Sequence, residues 1–178
     1  MEKAIPRRYL RWSVFDVKGG KILLFTMSVK QSVVINLPTE EIFAYMSDFE
    51  NLIDWSSAVI AVRKSSPGAI QVGATMQSTT RILGRWLEMT FEVIECEPSR
   101  SLTIKSIAGV APCLFCYQFE PVEDGGTNVS LEAVIHPRGI LGLAESVVTN
   151  VVRRQIEHDL LTLKDMLEAS AGPSRSAV

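Results

Sequence analysis

Histidine and cysteine are scarce in this chain of 178 residues, which has two of the first and three of the second. That scarcity removes most metal-binding and triad chemistry, since zinc sites draw on several such ligands and a nucleophile needs a base beside it. Cys113 and Cys116 form a Cys-x-x-Cys pair, but inside the strand-like run CLFCYQFE. Residues three apart on a strand point to opposite faces, so the two sulfurs are not expected to share a metal, and no second pair completes a site. No metal and no cofactor is expected. A low, odd cysteine count suits a reducing cytoplasm. Charge of one sign is also missing: a net −2 offers no field to nucleic acid or an anionic bilayer, so neither is expected as a partner. No apolar run approaches the ~20 residues of a membrane span. The N-terminal stretch MEKAIPRRYLRW leads to no apolar core with a small-residue cleavage site, so it is not read as a signal peptide. No glycine-rich phosphate loop follows a strand, and no repeat occurs.

Apolar residues are abundant, at 47%, which suits one globular domain. They are organised around the proline-free stretch from Arg138 to Ser170. Leu143, Val147, Val148, Val151, Val152, Ile156, Leu160, Leu163 and Leu167 recur there at helical spacing. The spacing predicts a helix from Leu143 to Ala169, about 40 Å long at ~1.5 Å per residue, stopped by Gly172 and Pro173. Gln155 falls inside the apolar stripe and Asp159 at its boundary. A polar residue there needs a partner, a water or a ligand. Gln155 either bonds internally, to a strand backbone or a buried water, or faces a cavity and touches a ligand. Arg153, Arg154 and Lys164 lie on the polar side and are expected in solvent.

Upstream the signals are those of strands. Ser32–Leu37 reads as a strand. Pro38-Thr39-Glu40-Glu41 opens a helix with Ile42, Phe43 and Met46 inward. A second short helix turns Phe49, Leu52, Ile53 and Trp55 inward, with Ser47 or Asp48 as its cap. Strands follow at Ala58–Lys64, Ala74–Leu83 and Arg85–Cys96, then from Leu102, from Cys113, and from Thr127 to His136. Gly84 and Asp124-Gly125-Gly126 mark turns. In the Arg85 strand, Leu87, Met89, Phe91 and Val93 alternate with Glu88, Thr90 and Glu92, a half-buried period of two. Glu88, Glu92 and Glu132 then belong to a solvated outer face. His136 and His158 are expected exposed or capping. Tight turns imply an antiparallel sheet, and its apolar face needs a cover that only the last helix is long enough to give. The expected fold is α+β: a curved seven-stranded antiparallel sheet gripping a long C-terminal helix, with two short helices after the first strand. Residues 1–28 read as an extension, either an extra strand or a poorly ordered appendage. Residues 29–170 form the domain, and 171–178 a disordered tail.

This order resembles the START-like, Bet v 1-type superfamily, and within it the polyketide cyclase/dehydrase and lipid-transport proteins. The stretches that carry the resemblance are VVINLPTEEIFAYMSDFENLIDW, VGATMQSTTRILGRWLEMTFEVIECEPSRSL, YQFEPVEDGGTNVSLEAVI and IEHDLLTLKDMLE, in that order. It implies a helix-grip sheet and an apolar cavity between sheet and helix, whereas periodicity alone equally permits a solid core.

The inward residues are mostly apolar: Trp55, Met76, Met89, Phe91, Ile104, Phe115, Val147 and Val151. Tyr117 and Gln155 add polar groups on the same side, Asp159 lies at its edge, and Ser78 and Thr80 join them if the strand register holds. A mainly apolar pocket with few polar groups is how small-molecule sites look. The leading expectation is a binder of a lipid, polyketide or aromatic metabolite, oriented by Tyr117 and Gln155. A second is a cyclase or dehydratase, with Tyr117 or Asp159 assisting proton transfer. Against it stands the lack of an inward acid–base pair. A third is a protein-interaction module with a closed core.

Overall fold

The computed structural model describes residues 27–66, 68–82, 84–109, 111–136 and 145–172. The element order is β1 (Met27–Ile35), α1 (Thr39–Ser47), a 3-10 turn (Phe49–Asn51), α2 (Leu52–Trp55), β2 (Val59–Lys64), β3 (Thr75–Ile82), β4 (Arg85–Glu97), β5 (Ser101–Gly109), β6 (Cys113–Pro121), β7 (Thr127–Ile135) and α3 (Glu145–Ser170). The strands form one antiparallel sheet in the order β1-β7-β6-β5-β4-β3-β2. Register shifts leave Ile107 as an extra residue on β5, opposite Thr90–Phe91, and Ile94 as an extra residue on β4, between Val93 and Glu95; such an extra residue bends its strand and tightens the twist. The expected helix-grip α+β fold is present. Much of the undescribed chain is the N-terminal extension, which lies outside these residues, as do the residues after Gly172.

Strand alternation sets the inner face. Val29, Met76, Met89, Phe91, Val93, Leu102, Ile104, Tyr117, Phe119, Val129, Leu131 and Ala133 all join one buried cluster. Each helix adds its apolar side to that same cluster: Ile42, Phe43 and Met46 from α1, Trp55 from α2, and Val148, Ile156, Leu160 and Leu163 from α3. The Phe43 ring meets Phe119 edge to face, 5.4 Å between centroids. A buried hydroxyl pair ties α1 to the sheet: Thr39 and Thr127 hydroxyls lie 3.1 Å apart, and Thr127 donates to the Leu37 carbonyl at 2.8 Å.

Four sequence expectations are corrected. The first strand begins at Met27 rather than Ser32 and ends at Ile35; Gln31, a polar residue on the inward parity, hid its alternation. Ile53 is exposed, because its helix is a single turn and only Trp55 reaches the core. Asp48 does supply the expected cap, accepting from the Glu50 N–H. His136 is buried: its N–H donates to the Pro112 carbonyl at 2.9 Å, so β7's pairing carries it past the strand end. Lys164 is not a solvent lysine. Its Nζ donates to the Val34 carbonyl (2.7 Å) and to Glu168 (2.8 Å), while Glu168 accepts from the Asn36 N–H at 2.8 Å. These two side chains satisfy a carbonyl on β1 and the N–H just past its end, at what is an edge of the sheet among the described residues, where such groups would otherwise be open to a neighbouring chain.

Gly109 ends β5 at φ +125°, and a Cβ there would sit 2.7 Å from the Glu88 carbonyl oxygen. Gly109→Ala is therefore expected to lower stability by about 2–3 kcal/mol. Gly84 has a positive φ but open space around it, so Gly84→Ala should cost about 1 kcal/mol. Urea titration of the two variants separates the steric part from the dihedral part.

Candidate functional site

The inward candidates come from five elements and meet on one face of the sheet. Pairing sets Met76 opposite Phe91, Ile104 opposite Phe115, and Tyr117 opposite Leu102 and Leu131. Phe91 and Phe115 tilt together at 5.8 Å between ring centroids. Trp55, Met76, Met89, Phe91, Ile104 and Tyr117 are buried, and Phe115 is half-buried against them. Ser78 is buried on this side too. Val151 is half-buried. Val147 is corrected: it is 46% exposed, and Val148 is the buried neighbour. The buried stripe of α3 runs Val148, Ile156, Asp159, Leu160 and Leu163, one position round from the arc that the sequence placed through Val147 and Val151.

Gln155 and Asp159 stand together, one helical turn apart. Asp159 is 6% exposed. Its carboxylate accepts from the Ser56 hydroxyl (2.8 Å), the Ser57 N–H (3.0 Å), the Ser57 hydroxyl (3.0 Å) and the Gln155 amide (2.8 Å). The Gln155 amide also donates to the Ser57 hydroxyl. A buried carboxylate requires such partners. Here they come from the turn after α2, so the cluster fastens that turn to α3. The internal alternative for Gln155 thus holds for its amide nitrogen, with side chains in place of the strand backbone or water. Ser56 and Ser57 escaped the sequence reading; two adjacent serines after a short helix are a common turn composition with no signal of a distant partner.

Tyr117 differs from these. Burial pushes its phenol well above the ordinary value, and the negative charge of Asp159 adds to the effect, with Cys116 a smaller contributor. Among the described residues its hydroxyl makes no hydrogen bond. It is thus a protonated donor through the neutral range, held in an apolar setting. Among the described residues no group of three or more His, Cys, Asp or Glu is placed to hold a metal. Cys113 faces inward and Cys116 outward, as strand geometry requires. Burial raises the Cys113 thiol to about 12, against a lowering bond with Ser106. Two open depressions, of about 560 Å³ and 530 Å³, lie on the outer side of the sheet and are lined mainly by polar side chains. That lining suits water better than an apolar ligand.

A curled antiparallel sheet closed by a long C-terminal helix, with its aromatic and apolar side chains turned inward, defines the helix-grip class. Within that class the chain belongs to the family described as polyketide cyclase / dehydrase and lipid transport, which it matches over residues 26–168. No curated protein matches it in sequence. Solved structures share the fold at low identity. TTHA0849 from Thermus thermophilus is 17% identical, with a TM-score of 0.71 over 82% of this chain and 99% of its own. A START superfamily protein from Mycobacterium smegmatis is 14% identical, with a TM-score of 0.70 over 81% and 99%. The Zhui aromatase/cyclase from Streptomyces sp. R1128 is 14% identical, with a TM-score of 0.71 over 86% and 100%. Such identities speak for the fold alone. Among the described residues no helix is long and apolar enough to cross a membrane.

Proposed function

We propose that this protein binds a hydrophobic small molecule, a lipid, polyketide or aromatic metabolite, between the inner sheet face and α3. The observation that carries the reading is Tyr117: a phenol kept protonated by burial, with no hydrogen bond of its own among the described residues. Buried tyrosine hydroxyls ordinarily find a partner, and a ligand carbonyl or hydroxyl would be one. Apolar contact with Met76, Met89, Phe91, Ile104 and Phe115 supplies affinity, and Tyr117 supplies orientation. Trp55, Val151 and the Gln155 carbonyl oxygen extend the surface toward α3. The three free thiols fit a reducing compartment, and we place the protein in the cytoplasm on that ground. A catalytic alternative, cyclisation or dehydration of a polyketide-like chain, has the closeness of Tyr117 to the Asp159 charge in its favour. The four donors on Asp159 favour binding instead, because they occupy the carboxylate that would have to move a proton.

Native mass spectrometry of the purified protein, followed by extraction of anything bound, tests the reading. A stoichiometric apolar passenger is expected. An empty protein that also ignores fatty acids, sterols and polyphenols would point to a closed core and an interaction role. For an oxygen-bearing ligand, Tyr117→Phe is expected to weaken binding about 5- to 10-fold, the worth of one net hydrogen bond, and to leave a hydrocarbon probe unaffected. Equal weakening of both would show that the hydroxyl does not orient the ligand.

A further inference from the structure

Two buried hydroxyls on the inner sheet face lack a hydrogen bond among the described residues, those of Tyr117 and Ser78, which are 8% and 5% exposed. Burying a hydroxyl without a partner is unfavourable. Among the described residues the buried side-chain atom fully enclosed without a partner is the Ser101 oxygen. The Tyr117 and Ser78 oxygens, also without partners, therefore each still meet open space. Ser78 shares the condition that singles out Tyr117.

Strand pairing fixes how far apart the two stand. Ser78 on β3 lies opposite Met89 on β4. Tyr117 on β6 lies opposite Leu102 on β5, and Leu102 lies opposite Cys96 on β4. The offset between the two hydroxyls is thus the width from β3 to β6 combined with the length of β4 from Met89 to Cys96. At ~4.8 Å between strands and ~3.3 Å per residue, that is roughly 20–25 Å along the sheet surface. The diagonal between them runs over Met89, Phe91, Ile104 and Phe115, all packed in the inner cluster. A hydroxyl therefore stands at each end of a continuous apolar track.

Resting on the pocket between sheet and α3 proposed above, we propose that Ser78 is a second anchor and that the ligand is an elongated chain with an oxygen function near each end. Such a chain, laid on the diagonal, buries its apolar length against the track and brings one polar end to each hydroxyl. A compact aromatic metabolite is too short to reach both and leaves one of them unpaired. The Tyr117 phenol donates to an acceptor oxygen, while the Ser78 hydroxyl both donates and accepts. The negative charge of Asp159 is felt at the Tyr117 hydroxyl and disfavours an anion there. An alcohol, ketone or ester therefore suits that end better than a free carboxylate.

The test titrates the full chain and its Ser78→Ala variant with three neutral probes, followed by tryptophan fluorescence. Hexadecanediol carries a hydroxyl at each end of a chain long enough for the diagonal. Hexadecanol has the same length and one hydroxyl, and octanediol has both hydroxyls on a chain too short to reach. Ser78→Ala is expected to weaken hexadecanediol about 5- to 10-fold, the worth of one net hydrogen bond, and to leave hexadecanol and octanediol unchanged. An unchanged affinity for hexadecanediol overturns the proposal. Equal weakening of all three probes overturns it too, since Ser78 would then shape the pocket without pairing a ligand end. Equal weakening of the two diols alone would show that the anchors lie close together and overturn the elongated class. Failure of both long chains to bind the unaltered protein also overturns the proposal, whereas a stoichiometric apolar passenger in the native mass spectrum would still uphold the pocket itself.

Discussion

Asp159→Ala is expected to cost about 3 kcal/mol of folding stability, seen as a fall of roughly 6–12 °C in Tm for a domain of this size. The carboxylate holds four donors, and the alanine leaves the Ser57 N–H, two hydroxyls and the Gln155 amide without their acceptor. Each hydrogen bond to a charged group is worth about 1.5–3 kcal/mol, but Ser57 is exposed, so water replaces part of the loss. Asp159→Asn keeps the shape and one acceptor oxygen and should lose about half as much. Amide exchange would locate the damage: residues 52–59 should lose protection before the β6–β7 pair does. A loss below about 1 kcal/mol for the alanine variant would show that water serves these donors as well as the carboxylate does.

Phe43→Ala should be at least as costly, at about 3–5 kcal/mol. The ring is buried where α1 lies against β6, and it makes an edge-to-face contact with Phe119. Such a pair adds about 0.5–1.5 kcal/mol beyond area burial. Phe43→Leu keeps most of the volume and should stay under about 1.5 kcal/mol. Chemical denaturation of Phe43→Ala, Phe119→Leu and the double variant would isolate the ring–ring part. Strict additivity would show that the two rings act only as filler.

The strands were legible where a regular alternation ran far enough. Leu87 to Val93 fixed the inner parity of β4, and Val129 to Ile135 that of β7, because a residue's side of a sheet follows from its place in a period of two. The first strand was cut short because Gln31, on the inward parity, broke that period. The long helix was legible in extent, but the phase of its stripe was not. Val147 and Val148 are both apolar, and which of them is covered depends on how α3 lies against β1 and α2. The candidate site was legible as an apolar face with Tyr117 on it. Gln155 and Asp159 stood out as polar residues in the stripe of α3, but their partners did not. The partners of Asp159 lie about a hundred residues away in a turn of two serines, and Lys164 finds a carbonyl on β1. Contacts between remote segments leave no local periodicity to read.

The clamp from Lys164 and Glu168 onto β1 also sets when the fold can be finished. Among the described residues β1 is the first strand made and its one strand partner is β7, the last; backbone groups at its other edge are met by the final turns of α3. On a ribosome delivering about 5–20 residues per second, Met27–Ile35 would wait several seconds with neither neighbour synthesised. Its alternation of valines with Ser28, Lys30 and Ser32 makes it a poor template for pairing with other nascent chains during that delay. The polar residues on its exposed parity thus guard the strand until the C-terminal helix arrives.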